Sequence, residues 1–322
     1  ASLTAGYAPK LISLRAKELL VDGRQLSNLT LGASELAGTW RANLDADQLN
    51  GYVEFRPPGA GESGGSAGRV HARLSRLSLP KAAADQVETL LEQPPASIPA
   101  LDVVVDEMEL HGLKLGRVEI EAVNRESGES REWRLHKFNI HMPEADLTAS
   151  GAWHGARGSA GPRAVMDFRL DVADGGALLE RLGQSKVARG GKGRIEGQVG
   201  WLGSPLSPDF PSLSGQFNVD IARGQFLKAD PGIAKLAGIL SLQSLPRRLM
   251  LDFRDVFQEG FAYDAFAGDV KITDGVAQTN NLRLRGVSAA ALMEGRVDIV
   301  RETQDLRVVV VPEINAGTAA LV

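Results

Sequence analysis

The glycine-rich stretch Gly190-Gly191-Lys192-Gly193 is the part of this chain that comes nearest to a phosphate-binding loop. Such a loop needs Ser or Thr directly after its lysine to hold magnesium, and a first glycine further upstream. Here Gly193 follows the lysine, and Lys186 stands in the place of the first glycine. Phosphate binding at this stretch is therefore not predicted.

Histidines and paired carboxylates are the other groups that could bind a metal or transfer protons. None of the five histidines has the HExxH spacing of a metalloprotease; they are His71, His111, His136, His141 and His154. Acidic pairs such as Asp102 with Asp106, or Glu107 with Glu109, fit a strand that carries charge at every second position. The histidines and the acidic pairs are both explained as side chains on the solvent-exposed face of strands.

Nucleophile motifs are equally weak. Ser150 and Ser214 are each followed by glycine but lack the second glycine of a nucleophile elbow. The absence of cysteine excludes disulfides, thiolate zinc sites and a cysteine nucleophile. We therefore predict no catalytic residues, no metal site, no cofactor and no enzyme activity.

Composition narrows the choice of partners. The 36 basic and 40 acidic residues give a net charge of -4, and they are spread evenly along the chain. No half of the chain could neutralise a phosphate backbone, so nucleic acid is not an expected partner. The sequence contains no run of about 18 apolar residues, so it predicts no membrane-spanning helix.

Alternation of apolar and polar residues with period two dominates the sequence and predicts a mainly β fold. Met166, Phe168 and Leu170 alternate with charged residues, and Phe217 and Val219 alternate with polar residues further on. Such strands have one dry and one wet face, which is typical of an antiparallel sheet. The alternation slips by one residue between Leu135 and Phe138 and between Leu74 and Leu77, which predicts β-bulges at both places.

Three segments interrupt the strands as predicted helices. The strongest covers 230–244, where Asp230-Pro231 supplies a cap and apolar residues follow at helical spacing. Shorter helices are expected at 81–92 and at 174–182, with Asp174 as the cap of the latter. The Gly-rich segment 57–68 predicts a flexible loop.

An internal repeat of about ninety residues organises the chain. The segment 18–26 aligns without a gap on 107–115, and each carries a turn of the form X-Gly, at Asp22-Gly23 and His111-Gly112. A related hairpin is expected around Asp274-Gly275. We infer β repeat units at 1–95 and 96–190 and a C-terminal β region at 191–322.

Repeated hairpins laid edge to edge predict an elongated, curved antiparallel sheet, with too few helices to cover it. The apolar side chains would suit a closed sandwich core, and they would equally suit an open groove. A large exposed apolar strip usually marks a binding surface, which favours the groove.

A family resemblance rests on the segment 227–312. Its motifs are Leu236-Ala237-Gly238-Ile239-Leu240-Ser241-Leu242-Gln243-Ser244-Leu245-Pro246-Arg247-Arg248-Leu249, Leu251-Asp252-Phe253-Arg254-Asp255-Val256-Phe257, Gly260-Phe261, Phe266-Ala267-Gly268 and Leu284-Arg285-Gly286. This string resembles the C-terminal region of the YhdP branch of the AsmA-like proteins of Gram-negative bacteria. The resemblance is dense over about the last 130 residues and holds only as a repeat pattern before them.

The resemblance implies a periplasmic segment of a larger protein that is anchored in the inner membrane. Members of the family are similar to bridge-like lipid transfer proteins, in which an apolar β-groove carries phospholipid between the inner and outer membranes and supports the outer-membrane barrier. Expected partners are phospholipids, the two membranes and envelope proteins. The competing hypothesis is a non-enzymatic scaffolding module of the envelope with a closed, dry β-core.

The residues expected to line the groove are alternating apolar side chains. They are Val103, Val105, Val118, Ile120, Met166, Phe168, Leu170, Ile195, Val199, Phe217, Val219, Leu251, Phe253, Val270, Ile272, Leu282 and Leu284. The alternative for each is packing beneath a helix or against a second sheet. The helix at 230–244 is expected either to plug the end of the groove or to cover a sheet edge.

Overall fold

The computed structural model describes residues 10–21, 24–58, 67–79, 98–127, 130–155, 161–203, 205, 208–227, 261–286 and 289–312. The expected helices at 81–92 and 230–244 lie outside these residues. Leu251 and Phe253 do so too, as does most of the expected loop 57–68.

Sixteen strands make up the described part of the chain. They are β1 (Leu11–Val21), β2 (Arg24–Leu36), β3 (Thr39–Asp45), β4 (Leu49–Arg56), β5 (Arg69–Leu79), β6 (Ala100–Leu110), β7 (Leu113–Ser127), β8 (Ser130–His141), β9 (Ala145–His154), β10 (Arg163–Val172), β11 (Ala188–Leu202), β12 (Ser214–Phe226), β13 (Phe261–Thr273), β14 (Val276–Arg285), β15 (Ala289–Asp298) and β16 (Thr303–Pro312). One α-helix, α1 (Gly175–Arg181), and a short 3-10 helix, Phe210–Ser212, complete the described elements.

The strands form a single sheet in which hydrogen-bonded neighbours follow the order of the chain from β1 to β16. The first and last strands each have one neighbour, so the sheet is not closed on itself. The pairing is mostly antiparallel, and β5 and β6 run parallel. This confirms the mainly β fold of successive hairpins. The parallel pair is a departure from it, because β6 begins beside the first residue of β5, with Ala100 facing Arg69.

Tight turns with left-handed backbone join several hairpins. His111 and Gly112 have φ of 54° and 82°, and Asp274 and Gly275 have φ of 46° and 74°. Two consecutive residues with positive φ match the right-handed twist of the flanking strands, which explains the X-Gly pairs at these turns. The hairpin expected around Asp274-Gly275 is confirmed as β13–β14.

Both expected β-bulges are present. In the β7–β8 pair, Ala122 faces Leu135 while Glu121 faces Lys137, so His136 is the extra residue. In the β4–β5 pair, Gly51 faces Leu74 while Asn50 faces Arg76, so Ser75 is the extra residue. Each bulge returns the following apolar residues to the face that the preceding ones occupy.

The chain divides into two compact units. Unit 1 comprises Ala1–Met142, Ala149–Ala164 and Ser204–Leu206, and unit 2 comprises Pro143–Thr148, Val165–Gly203 and Ser207–Val322. The three regions expected from the sequence, 1–95, 96–190 and 191–322, stay a prediction.

Helix α1 lies within the expected segment 174–182. The Asp174 side chain caps it by accepting a hydrogen bond from the Ala177 amide at 3.0 Å. Glu144 then holds both ends of the helix. Its carbonyl accepts from the amides of Ala173 and Asp174, and its carboxylate receives two hydrogen bonds from Arg181, at 2.5 and 2.7 Å.

Candidate functional site: the apolar face of the sheet

In unit 1, cross-strand registers align apolar residues into continuous rows. One row runs from β4 to β8 through Val53, Ala72, Val103, Ile120 and Phe138. A second, parallel row runs through Gly51, Leu74, Val105, Val118 and Ile140. Residues that face each other across a strand pair share a face of the sheet. Four expected lining residues, Val103, Val105, Val118 and Ile120, therefore lie side by side.

The same construction recurs in unit 2. Ile195 of β11 faces Val219 of β12, and Phe217 of β12 faces Val270 of β13. The rows continue across β14 and β15, where Leu282 faces Met293 and Leu284 faces Ala291. In each unit we call these rows the apolar face of that unit's strands.

Strand β10 is placed by its polar residues. Gln198 Nε2 donates to Asp167 Oδ1 at 2.7 Å, and Arg194 Nε donates to Asp171 Oδ1 at 2.7 Å. Arg194 and Gln198 alternate with Ile195 and Val199, so they lie on the opposite, polar face of β11. By the same alternation, Met166, Phe168 and Leu170 lie on the apolar face of β10.

Burial divides the expected lining residues into two groups. Six are buried: Val105, Val118, Val219, Ile272, Leu282 and Leu284. Nine are half-buried and keep part of their surface accessible: Val103, Ile120, Met166, Phe168, Leu170, Ile195, Val199, Phe217 and Val270. In unit 2 the accessible part of the apolar face therefore lies mainly on β10–β12, whereas Leu284 on β14 is only 1% exposed.

Close backbone approach shapes the apolar face between β11 and β12. A Cβ atom at Gly197 would lie 2.2 Å from the Gln216 carbonyl oxygen and 2.5 Å from Phe217 Cα. Real side chains do not tolerate such distances. Glycine at this position lets β12 approach β11 more closely than a larger residue would.

One end of the apolar face in unit 2 is covered. The rings of Phe226, Tyr263 and Phe266 pack on each other, with centroids 5.1–6.2 Å apart. A Cβ at Gly191 would contact both the Tyr263 hydroxyl and Ile221, and the backbone of Gly175 at the start of α1 lies beside it. Burial in this cluster raises the pKa of Tyr263. The cluster and α1 close the apolar face at this end of β11–β13.

The polar face carries charged residues, and several of them form ion pairs within or between strands. Asp171 receives hydrogen bonds from Arg169 and Arg194, which lower the pKa of its carboxyl. In unit 1, Asp102 contacts Arg73 at 2.8 Å and His71 at 3.0 Å. Arg117 contacts both Asp106 and Glu119. Asp102 and Asp106, one of the acidic pairs considered from the sequence, are thus engaged with different arginines, Arg73 and Arg117.

The described residues form no site for a metal ion or a phosphate group. No three His, Asp or Glu side chains of the described ranges are grouped to hold a metal ion. The stretch Gly190–Gly193 lies within β11 and pairs with Gly224–Ile221 of β12, so it forms a strand and not a phosphate loop. The arrangement offers an apolar surface backed by a polar one.

The sequence missed several residues of this surface. Phe138, Ile140, Ile221 and Phe266 lie in its rows, as do Met293 and Ala291. The alternation around Phe138 and Ile140 was visible and could have added them. On β15 the signal is obscured because Leu292, on the other face, is also apolar.

A family comparison gives this surface its context. The family model described as the YhdP protein matches residues 1–322. The chain belongs to the YhdP family. This confirms the resemblance that the C-terminal motifs indicate.

A curated member of the YhdP family is similar to part of the chain. "Intermembrane phospholipid transporter YhdP" of Escherichia coli (strain K12) is 32% identical over 177 residues. The match covers 54% of this chain and 14% of that transporter, so the chain spans a small fraction of its relative's length. No solved structure matches the chain significantly. Among the described residues of this YhdP-family chain, no helix is long and apolar enough to cross a membrane.

Proposed function

We propose that this chain is a periplasmic segment of a phospholipid carrier that is anchored in the inner membrane, and that its apolar face holds the acyl chains. The observation that carries the proposal is the alignment of apolar side chains into cross-strand rows within each unit, with the charged residues on the opposite face. The transport named for the E. coli relative supports it.

The physical need for such a surface is large. Each methylene group exposed to water costs about 0.8 kcal/mol, so a two-tailed lipid leaves a bilayer slowly unless an apolar path is offered. Half-buried residues such as Phe168, Ile195 and Phe217 offer that path. The tails would lie against them while the head group stays in water.

The proposed mechanism contains no covalent step and no enzyme activity. Acyl chains would move along the apolar face by exchanging equivalent contacts with neighbouring rows, because dispersion and hydrophobic contacts have no preferred direction. Phospholipid would pass in this way between the inner and outer membranes, with envelope proteins as partners at either end.

The test is native mass spectrometry of the purified chain, followed by organic extraction and by incubation with labelled phospholipid vesicles. Phospholipid at one or more copies per chain, exchangeable with the labelled pool, is the expected result. A lipid-free mass with no uptake would overturn the proposal and would favour a scaffolding module with a dry β-core.

A further inference from the structure

Strand β14 contains one bulge that displaces its register against both neighbours. Towards β13, Arg283 faces Ala267 but Gln278 faces Lys271. Towards β15, Leu282 faces Met293 but Thr279 faces Gly295. The extra residue therefore lies at Asn280-Asn281 on both sides, and Thr279 and Leu282 point to the same, apolar face.

Polar side chains hold this bulge from the other face. Asn281 Oδ1 accepts from the Asp269 amide at 2.9 Å, and Asn281 Nδ2 donates to Asp269 Oδ2 at 2.8 Å. Asn218 Nδ2 donates to Asp269 Oδ1 at 3.0 Å and to the Gly268 carbonyl at 3.2 Å. These amide hydrogen bonds lower the pKa of Asp269. A bulge bracketed in this way is a defined feature of the fold.

On the apolar face the bulge presents a hydroxyl group. Among the described residues of β11 to β15 that point to the apolar face, Thr279 is the one polar side chain. The ranges compared are Gly193–Val199, Gly215–Ile221, Phe266–Ile272, Ala277–Leu284 and Ala291–Val297. Its Oγ1 atom is buried and has no hydrogen-bond partner among the described residues. A buried hydroxyl without a partner is unfavourable, so its presence calls for an acceptor.

The neighbour of Thr279 on β15 is a glycine, Gly295, which faces it directly. The threonine as a whole is half-buried, and rotation about its Cα–Cβ bond exchanges the methyl and hydroxyl groups and turns the hydroxyl outward.

We propose that Thr279 is a lipid-recognition residue, whose hydroxyl donates a hydrogen bond to the ester carbonyl of an acyl chain on the apolar face. The proposal rests on the proposed function and adds a specificity for ester-linked lipids. A neutral carbonyl is the matching acceptor, because the rows around Thr279 contain no cation to pair with a phosphate. Apolar sites typically use a few such polar groups to fix the position of a ligand.

The experiment compares two synthetic phospholipids with the same head group and chain length, one with ester and one with ether linkages. Both are offered in mixed vesicles to the purified chain, and the bound ratio is read by native mass spectrometry. The wild-type chain is expected to retain the ester lipid about 5-fold over the ether lipid, which is the worth of one neutral hydrogen bond. Thr279→Val should bind both lipids equally, and Thr279→Ser should keep the preference.

Two controls separate recognition from folding. Thr273→Val makes the same chemical change at an exposed position of β13 and should leave the ratio unchanged. Thermal unfolding of lipid-free Thr279→Val should occur at the wild-type temperature or higher, because the variant removes a buried hydroxyl without a partner.

The outcomes distinguish the two proposals. A ratio that stays at its wild-type value in Thr279→Val, or a wild-type chain that binds both lipids equally, would overturn the role of Thr279 and leave lipid binding intact. A chain that binds neither lipid would overturn both.

Discussion

Strand β11 shows how differently the two faces of this sheet are built. On the polar face, Arg194 and Gln198 reach Asp171 and Asp167 of the neighbouring strand. On the apolar face, Ile195 and Val199 alternate with glycines and meet only apolar residues or glycines of β12. The hydrogen bonds of the polar face link particular residues on adjacent strands. The apolar face of β11 has no directional bonds, which is what the proposed exchange of one acyl chain for another requires.

The largest effect is expected from a charge placed on the apolar face. Phe168→Asp or Val219→Asp should abolish lipid loading while circular dichroism stays β-rich, because a carboxylate against an acyl chain loses its hydration. Gln216→Asp adds the same carboxylate on the exposed polar face and should load normally. The number of lipid molecules bound per chain, counted by native mass spectrometry, shows whether each variant loads lipid. If both apolar-face variants keep their lipid, the lining assignment is wrong.

A smaller but clear effect is expected where β11 and β12 approach closely. Gly197→Ala should destabilise the chain by about 2–3 kcal/mol, because its Cβ collides with the backbone of Gln216 and Phe217. Gly32→Ala on β2 is the control, since its Cβ would meet nothing within 4 Å. Urea unfolding measures both variants. Equal stability of the two would show that the close approach is not required.

The charged contacts should contribute least, and their contribution should depend on pH. Arg181 lowers the pKa of Glu144, so this pair stabilises the fold above the unfolded pKa of about 4.3 and ceases to do so as the pH falls through the folded value. Glu144→Gln should cost about 1–2 kcal/mol at pH 7, and the difference from wild type should shrink below about pH 4. Urea midpoints from pH 7 to pH 3 test this.

The exposed pair on the polar face provides the comparison for Glu144. The Glu144 and Arg181 side chains are 17% and 24% exposed, whereas those of Asp171 and Arg194 are 41% and 42% exposed. Asp171→Asn should therefore change stability by at most about 1 kcal/mol, and 1 M salt should remove the difference. A larger or salt-independent cost would mean that the polar face contributes more to stability than solvent screening allows.

Alternation along single strands was enough to predict the fold class and much of the apolar face. Val103, Val105, Val118 and Ile120 fall on one face because strand geometry alone dictates it. The bulges near Leu74 and Leu135 were equally predictable, since an uncorrected slip would turn apolar side chains to water.

The features that the sequence did not predict depend on contacts between strands. The parallel pairing of β5 with β6 is one such feature, because the repeat alignment does not specify the direction in which neighbouring strands run. Thr279 shares the apolar face with Leu282 only because a bulge, held by Asn281 and Asp269, lies between them. The burial of Leu284 compared with the accessibility of Phe217 depends on packing among several strands.

The most direct test of the central claim is site-specific photo-crosslinking from neighbouring residues on opposite faces of β12. A benzophenone amino acid is introduced at Phe217 on the apolar face or at Gln216 on the polar face, the chain is loaded from phospholipid vesicles and irradiated, and lipid adducts are identified by mass spectrometry. The account predicts phospholipid adducts at 217 and none above background at 216. Equal adducts at both positions, or none at 217 in a lipid-loaded chain, would contradict it.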